Sequence, residues 1–470
     1  MSHPRPRFNR FARLPEPLSL RAPATYTGQG VTIAVLDADF TPHPDLTRPV
    51  NRIKESYDAT GQGKLLSREV TRWQWHGTMT SVVAAGNGYL SDGYYRGLAY
   101  ESDLVLVKTA DDRGLSEENV ARALRWVLDN RARLGIRVVN LSIQANEEDI
   151  SFETDVVDQL AEEAVRQGIV VVAAAGNTGR VPTPPANSPS VITVGGLDRP
   201  GGYAELYPPS SYGQTADGLL KPELVATAAR VAAPILPGTR DFERADALTR
   251  LANCSLDELP DLARELRGPA ELSERDLRLS PADLHQRVAC KVEDYDIVGA
   301  HYKHVEGTSF AAPLVTSTAA LMLQANPDLN PLQVKQILAM TAERLPNLPV
   351  EEQGFGRVNP RRAVELAASE PHIRADMLWF TPPHAEDGKL VFQLFEPTAR
   401  SVELAADFTD WARLMMRRKP NGLWRLDLPA PQPGPHRYKY VVDGVWLEDP
   451  CNGHREPDGM GGLNSLIFVG

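Results

Sequence analysis

Between residues 30 and 233, short apolar segments alternate with longer segments in which apolar residues recur every three or four positions. The short segments are rich in β-branched residues, as strands buried on both faces of a parallel sheet are. The longer segments have the spacing of amphipathic helices. This alternation predicts an α/β fold with a doubly wound parallel sheet. The predicted strands are VTIAVLD (31–37), DLVLVKT (103–109), RVVNLSI (137–143), IVVVAAAG (169–176) and VITVGG (191–196).

Two later stretches have other patterns. Residues 239–300 are rich in Leu, Arg, Asp and Glu and poor in β-branched residues, which predicts several short helices inserted into the α/β unit. From residue 371 onward, short alternating apolar runs separated by Pro, Gly and Asn/Asp predict a β-sandwich. The predicted organisation is an N-terminal extension at 1–24, an α/β domain at 25–370 with an insertion at about 239–300, and a C-terminal β-sandwich at 371–470.

Composition narrows the classes of function. The chain of 470 residues has a formal net charge of −11, and since nucleic acids attract basic surfaces, we expect no nucleic-acid partner. No run approaches the roughly 18 apolar residues of a membrane span, and the basic, Pro-rich first residues lack the apolar core of a secretory signal. The three cysteines lie far apart, which favours reduced thiols. We therefore expect a cytoplasmic protein without a membrane partner.

Four polar residues stand where predicted elements end or begin. Asp37 closes the first predicted strand, Asn177 follows the fourth, His76 opens HGTMTSVVAAG, and Ser309 begins an Ala-rich helix. The carboxyl ends of parallel strands meet at one edge of a sheet, where α/β sites form. Acyl transfer needs an alcohol, an imidazole that takes its proton, a carboxylate that orients the imidazole, and donors for the oxyanion. The four residues supply these groups.

Each of the four also has an ordinary structural interpretation. An Asp that ends a strand or an Asn that follows Gly is usually a turn former, and a Ser at a helix start is usually an N-cap. A lone His is usually a satisfied surface or core residue. Their joint occurrence in the order Asp, His, Ser, with the Asn between His and Ser, favours the catalytic interpretation.

The segments LDADFTPHPDL, HGTMTSVVAAG, AAAGNTG and GTSFAAPLV resemble the four signature blocks of subtilisin-like serine proteases, over roughly residues 25–370. The resemblance implies a subtilisin-like fold and a serine endopeptidase that forms an acyl-enzyme with a protein or peptide substrate. It implies that Ser309 is the nucleophile, His76 the acid and base, Asp37 the orienting carboxylate and Asn177 an oxyanion donor. No cofactor is implied for the chemistry.

The same resemblance implies where the substrate binds. Two backbone segments, 113–115 and 141–144, would pair with it, and residues 174–176 would line the pocket for the residue before the scissile bond. The residues concerned are Gly114, Ser142, Ile143, Gln144, Ala174 and Gly176. The family often has Gly where Gln144 stands. This departure leaves two alternatives, a narrowed or polar pocket mouth and a side chain that points to solvent.

Three further features leave alternatives open. The N-terminal extension is too short for a packed prodomain and resembles that of intracellular subtilisins; it either covers the cleft before activation or is inert. The insertion is either a lid beside the nucleophile or a packing decoration. Structural calcium, which stabilises many relatives, has weak support from the oxygen ligands of Asp45, Asn87 and Asp92.

The C-terminal segments VELAADFTDW, RYKYVVDGVWLEDP and GGLNSLIFV resemble the glycogen-binding module of AMP-activated kinase β subunits and the related sandwich of isoamylase-type enzymes. The resemblance implies glycogen or another α-glucan as a partner, with Trp411, Lys439, Trp446 and Asn464 at the binding positions. Indoles pack on the C–H faces of sugar rings, and Lys and Asn bond hydroxyls. A Trp in a sandwich is often a core residue instead, as the alternation around Trp424 predicts.

The leading hypothesis is therefore an intracellular serine endopeptidase targeted to an α-glucan by its C-terminal module. Two alternatives stay open. One is a processing protease whose sandwich docks a protein partner, and the other is a non-catalytic scaffold.

Overall fold

The computed structural model describes most of the chain. The described residues are 14–63, 74–146, 148–198, 204–369, 383–386, 388–396, 399–419, 423–449, 452, 455–460 and 462–469. None of the helices among them is both long and apolar enough to cross a lipid bilayer.

A twisted parallel sheet forms the centre of the first unit, as the alternating pattern predicts. Its parallel strands, from one edge to the other, are Leu224–Thr227, Ile192–Asp198, Val170–Ala174, Ile136–Leu141, Thr32–Asp37, Asp103–Lys108 and Ile53–Asp58. The short strand Glu205–Leu206 pairs antiparallel with Ile192–Asp198. All six residues of Thr32–Asp37 are buried, which explains why this central strand has an almost unbroken apolar sequence.

Helices cover both faces of this sheet. Side chains of the central strand alternate between the two layers, so that Ile33 and Val35 join one core cluster while Ala34 and Leu36 join the other. The helices that pack into the first cluster include Gln74–Ala85, Thr308–Ala325, Pro331–Thr341 and Pro360–Ser369; those that pack into the second include Glu117–Leu134 and Val156–Arg166. This is the doubly wound architecture that the sequence predicts.

The insertion folds as helices around a cluster of its own. The helices are Arg240–Asn253, Leu259–Glu265 and Pro281–Asp294. They lie between the strands Val231–Pro234 and Ile297–Gly299, which flank Tyr302–Val305 in a small antiparallel sheet. Phe242 of the first inserted helix stacks on His301, with ring centroids 4.7 Å apart. The insertion is therefore anchored just before the helix that begins at Thr308.

The described part of the N-terminal extension packs against the first unit. A short helix spans Glu16–Ser19, and Leu20 belongs to the first core cluster. The carboxylate of Glu16 accepts a hydrogen bond from Oγ1 of Thr227 at 3.1 Å. Residues 1–13 lie outside the described residues, so whether the extension covers the cleft stays a prediction.

The C-terminal unit is a pair of antiparallel sheets. One contains His384–Glu386, Lys389–Phe395, Leu423–Pro429 and Arg417–Arg418; the other contains Leu414–Met415, Val402–Ala406, Gly434–Val442, Leu463–Val469, Arg455–Pro457 and Val445–Leu447. Their facing side chains form a core that includes Phe392, Tyr438, Tyr440 and Trp424. Trp424 is 5% exposed and its indole N–H donates to the carbonyl of Glu396, so it is a core residue.

A buried ion cluster connects the edge of the parallel sheet to the helix Pro331–Thr341. Oε1 of Glu223 accepts from Nζ of Lys221 and from Nζ of Lys335, each at 2.6 Å. Its Oε2 accepts from the backbone N–H of Thr193 at 2.8 Å. Burial would raise the pKa of Glu223, but the two ammonium groups outweigh it and lower that pKa. Burial lowers the pKa of Lys221 to about 8.

We predict that Glu223→Gln strongly destabilises the fold. The substitution removes the one carboxylate that both ammonium groups share and leaves their buried charges uncompensated. The expected loss is about 3–5 kcal/mol in the free energy of unfolding, measured by urea titration followed by tryptophan fluorescence.

Glu343→Gln is a matched control for this prediction. Glu343 pairs with Arg357 at a site where its own side chain is 48% exposed, and such pairs contribute less than about 1 kcal/mol. Equal losses in the two variants would contradict a special role for the buried cluster.

Candidate active site

Several predicted site residues lie at the carboxyl ends of adjacent parallel strands, along one edge of the sheet. Asp37 is the last residue of the central strand, Ser142 follows the neighbouring strand Ile136–Leu141, and Ala174 ends the next strand. Since these strands are parallel, their carboxyl ends lie side by side. The topology therefore brings together residues that are more than a hundred positions apart.

Asp37 and His76 form a close pair at this edge. Nδ1 of His76 donates to Oδ1 of Asp37 at 2.6 Å. Asp37 has no solvent exposure, and it also accepts from the N–H of Ala38 at 2.7 Å and from Oγ1 of Thr80 at 2.9 Å. These bonds fix the orientation of the carboxylate, and they direct Nε2 of His76 away from Asp37.

The environment shifts the proton affinity of His76. Burial disfavours the imidazolium, but the charge of Asp37 and the hydrogen bond to it outweigh burial and raise the pKa of His76 above 6.5. A raised pKa makes the imidazole a stronger base than a free histidine. The rings of Trp75 and Phe310 lie against it, with centroids 5.2 and 5.9 Å away.

Ser309 is the second residue of the helix Thr308–Ala325. Its hydroxyl donates to the carbonyl of Ser142 at 3.2 Å, and Oγ of Ser142 donates to the carbonyl of Ser309 at 2.8 Å. The N–H of Ser309 is one of the four at the helix start that have no partner within the helix. Together with the positive end of the helix dipole, it favours negative charge beside Oγ.

The amide of Asn177 is oriented by Thr308, the residue next to Ser309. Its Oδ1 accepts from the N–H and from Oγ1 of Thr308, at 2.9 and 3.1 Å. Because the oxygen is held there, the other end of the amide, Nδ2, is presented as a donor. Gly176 directly before it has φ of +104°, and its N–H donates to Oγ1 of Thr308 at 3.1 Å.

Sequence reasoning missed several supporting residues. Oγ1 of Thr316 donates to Oδ1 of Asn140, and Nδ2 of Asn140 donates to Oγ of Ser142, each at 2.9 Å, so a buried chain of hydrogen bonds reaches Ser309. For Thr80 a signal was present, since it lies four residues after His76 and therefore on the same helix face. For Asn140 and Thr316 no local pattern marks the contact, which joins positions 176 residues apart.

The structure also places the predicted substrate-binding residues. Gly114, with φ of +114°, is in a hairpin that follows the strand beside Asp37, and Ile143 is buried. The side chain of Gln144 turns inward, unlike the alternative in which it points to solvent. Its Nε2 donates to Oγ1 of Thr183 at 3.0 Å, and the side chain lies against Gly176 rather than pointing to solvent.

Asp45, the first of the predicted calcium ligands, has protein partners. Its carboxylate accepts from the hydroxyl of Tyr302 at 2.7 Å and from the N–H of Leu90 at 3.1 Å. The side chain of Asn87 bonds the carbonyl of Arg48 and the N–H of Tyr89. Among the described residues no group of three His, Cys, Asp or Glu residues is arranged to hold a metal. Calcium binding therefore stays a prediction.

The C-terminal unit brings two of its predicted sugar-binding residues together. The rings of Trp411 and Trp446 have centroids 6.5 Å apart and are inclined by 53°. Their side chains are 36% and 45% exposed, which distinguishes them from the buried Trp424. The guanidinium of Arg413 lies 5.9 Å from the centroid of the Trp446 ring. The pair forms an exposed aromatic surface.

Lys439 and Asn464 lie on the same sheet as Trp446. Tyr438 and Tyr440 point into the core, so Lys439 between them points to the outer face. Its Nζ donates to Oδ2 of Asp458 at 2.6 Å; this bond first, and two backbone N–H groups next, lower the pKa of Asp458 to about 2. Asn464 is largely buried and pairs with Glu456 across the neighbouring strand.

Comparison with known families agrees with this geometry. The profile described as the subtilase family matches residues 28–356, which is more than half of the chain. The profile described as carbohydrate-binding module 48 (isoamylase N-terminal domain) matches residues 380–456.

Individual relatives point to the same family. The chain is 29% identical to serine protease AprX of Bacillus subtilis over 359 residues, which is 72% of this chain and 67% of that protein. It is 30% identical to subtilisin BL of Lederbergia lenta over 208 residues, or 42% of this chain and 67% of that protein. Among solved structures, the protease domain of PatA superposes with a TM-score of 0.50 at 18% identity, covering 73% of this chain and 98% of that one. This last likeness concerns the fold alone.

The predicted fold class and the predicted enzyme class are therefore both confirmed. The chain belongs to the subtilase family and is a subtilisin-type serine endopeptidase with a C-terminal carbohydrate-binding module of the isoamylase type.

Proposed function

We propose that Asp37, His76 and Ser309 are the catalytic triad of this protease and that Asn177 is its oxyanion donor. The observation that carries the proposal is the 2.6 Å bond between the buried Asp37 and His76, beside a helix start that bears Ser309. The geometry of Asn177 adds support, since Thr308 holds its amide beside the same helix start.

In the proposed reaction, Ser309 turns its hydroxyl from the carbonyl of Ser142 towards Nε2 of His76. His76 takes the proton as Oγ forms a bond to the scissile carbonyl carbon. The oxyanion is bound by Nδ2 of Asn177 and the N–H of Ser309. His76 then gives its proton to the leaving amine, which breaks the C–N bond and leaves an acyl-enzyme. Water, deprotonated by His76, hydrolyses the ester and restores Ser309.

We further propose that the C-terminal module binds glycogen or another α-glucan and brings the protease to it. Trp411 and Trp446 offer two exposed indoles that can pack on the C–H faces of successive sugar rings. Lys439 is on the same face of the sheet, where its ammonium can donate to sugar hydroxyls. Intracellular α-glucan would suit a cytoplasmic enzyme, which the described free thiols of Cys254 and Cys290 also favour.

Labelling by a fluorophosphonate probe tests the nucleophile. We expect the full-length chain to be labelled and Ser309→Ala not to be, because the probe forms a covalent bond only with an activated hydroxyl. The measurement is in-gel fluorescence of the purified proteins. Ser317→Ala is the matched control, since Ser317 lies two turns further along the same helix and its hydroxyl bonds to Pro313 and Leu314. An unlabelled native chain would contradict catalysis and favour the scaffold alternative.

The pH dependence of labelling tests the role of His76. The base must be neutral to accept the proton of Ser309, and its pKa is raised, so the rate should fall as the pH drops through a value above 6.5. In Asp37→Asn the carboxylate that raises this pKa is gone, while burial still lowers it. We expect the labelling rate of the variant to begin its fall at a lower pH, and its maximum to be reduced by about 10³–10⁴-fold. The same pH of half-maximal labelling in both proteins would show that another group titrates.

Retention on glycogen tests the module. We expect the native chain to bind glycogen-coated beads and the double variant Trp411→Ala, Trp446→Ala to bind at least about tenfold more weakly, since truncation of stacked indoles removes most of the apolar contact. Phe468→Ala is the control. Phe468 is also exposed, but it lies at the end of its strand that is away from Asn464, where it pairs with Pro435. If neither the native chain nor the variants bind, a protein-docking role for the sandwich is favoured.

A further inference from the structure

Gln144 packs on Gly176, whose N–H donates to Thr308, the residue before Ser309. A Cβ built on Gly176 would lie 2.6 Å from Nε2, 3.0 Å from Cδ and 3.1 Å from Oε1 of Gln144. These distances place the whole amide plane of Gln144 on Gly176. The bond from Nε2 to Oγ1 of Thr183 fixes the end of the side chain in this position.

The position of Gly176 relative to Ser309 identifies the space that Gln144 occupies. A scissile carbonyl bound in the proposed reaction has its carbon at Oγ of Ser309 and its oxygen at Asn177. The residue that carries this carbonyl then lies between Ser142, which is bonded to Ser309, and Gly176, which precedes Asn177. The resemblance to subtilisin-like proteases assigns the pocket for its side chain to the gap between residues 142–144 and 174–176. Gln144 extends across that gap onto Gly176.

The amide of Gln144 is held in this position. Thr183 is 6% exposed, and its hydroxyl donates to the carbonyl of Asn146 at 2.7 Å. The hydroxyl hydrogen is therefore used, and a lone pair of Oγ1 is directed to accept from Gln144. Displacing the amide would leave a buried polar atom of Thr183 without this donor, which opposes the entry of a large apolar side chain.

We propose that Gln144 is a specificity-determining residue that closes the pocket for the residue before the scissile bond, so that the protease selects Gly or Ala there and rejects large apolar residues. The inference rests on the proposed function, because it takes Ser309 as the nucleophile. The class of substrate that it assigns is peptides with a small residue at that position.

Hydrolysis of tetrapeptide p-nitroanilides with Ala, Leu or Phe before the scissile bond tests this inference. We expect the native chain to prefer Ala. In Gln144→Gly the ratio of kcat/KM for Phe to that for Ala should rise about tenfold or more, since even one methylene in such a pocket changes selectivity by roughly 10–200-fold. Gln144→Glu has nearly the same shape but no N–H to donate to Oγ1 of Thr183, so its ratio should lie between those of the native chain and Gln144→Gly. Equal ratios in the native chain and in Gln144→Gly would overturn the inference.

Two further measurements accompany this test. Gln167→Gly, at the end of the helix Val156–Arg166 on the opposite edge of the sheet, is the control and should leave the ratio unchanged. A shift in this control equal to that in Gln144→Gly would count against a specific role for Gln144.

Peptide binding without turnover is the second measurement. In the Ser309→Ala background, calorimetry with acetylated tetrapeptides ending in Ala or Phe should show tighter binding of the Ala peptide. Adding Gln144→Gly should reverse this order. The result does not depend on hydrolysis, so it decides the inference even if the chain is not labelled by the fluorophosphonate. The same order in both variants, or no peptide binding by either, would overturn it.

Discussion

The carboxylate of Asp37, which has no solvent exposure, constrains how the predicted site residues are arranged at one edge of the sheet. Burying a carboxylate is costly unless hydrogen bonds compensate it. Asp37 receives these hydrogen bonds from the backbone N–H of the next residue, Ala38, and from His76 and Thr80 of the helix Gln74–Ala85. The helix must therefore lie close to the end of the central strand. Gly77 allows this approach, because a Cβ there would lie only 2.5 Å from the carbonyl oxygen of Asp39.

The parts of this site that could be predicted from the sequence are those that local patterns mark. β-Branched runs predict where strands end, and a polar residue at such an end, as at Asp37, predicts a site at the sheet edge. The orientation of Gln144 could not be predicted in this way, because it depends on Thr183, 39 residues later. The same holds for Asp45, whose carboxylate meets Tyr302 across 257 residues, and for Glu223 with Lys335 across 112. Only the folded chain brings these partners together.

The tryptophans of the sandwich also show what a local sequence pattern can and cannot predict. Alternation along Leu423–Pro429 was enough to predict that Trp424 is buried. Trp411 follows no strand pattern, and its exposure arises from a turn in which both Asp410 and Trp411 have positive φ, 52° and 59°. A bulky residue rarely adopts this conformation. The turn directs the indole of Trp411 to Trp446. The local sequence does not mark this contact, because it depends on the pairing of two other strands.

Side-chain contacts join the sandwich to the peptidase unit. Arg455, whose side chain is only 5% exposed, forms an ion pair with Glu351, and the carboxylate of Glu448 accepts from the N–H of Val350 at 3.4 Å. A guanidinium buried to this degree is strongly destabilised without its carboxylate, so the ion pair is more than a surface contact. Glu448 is two residues after Trp446 on the same chain segment. The segment that bears Trp446 is therefore held against the helix Val350–Gln353 by a direct contact.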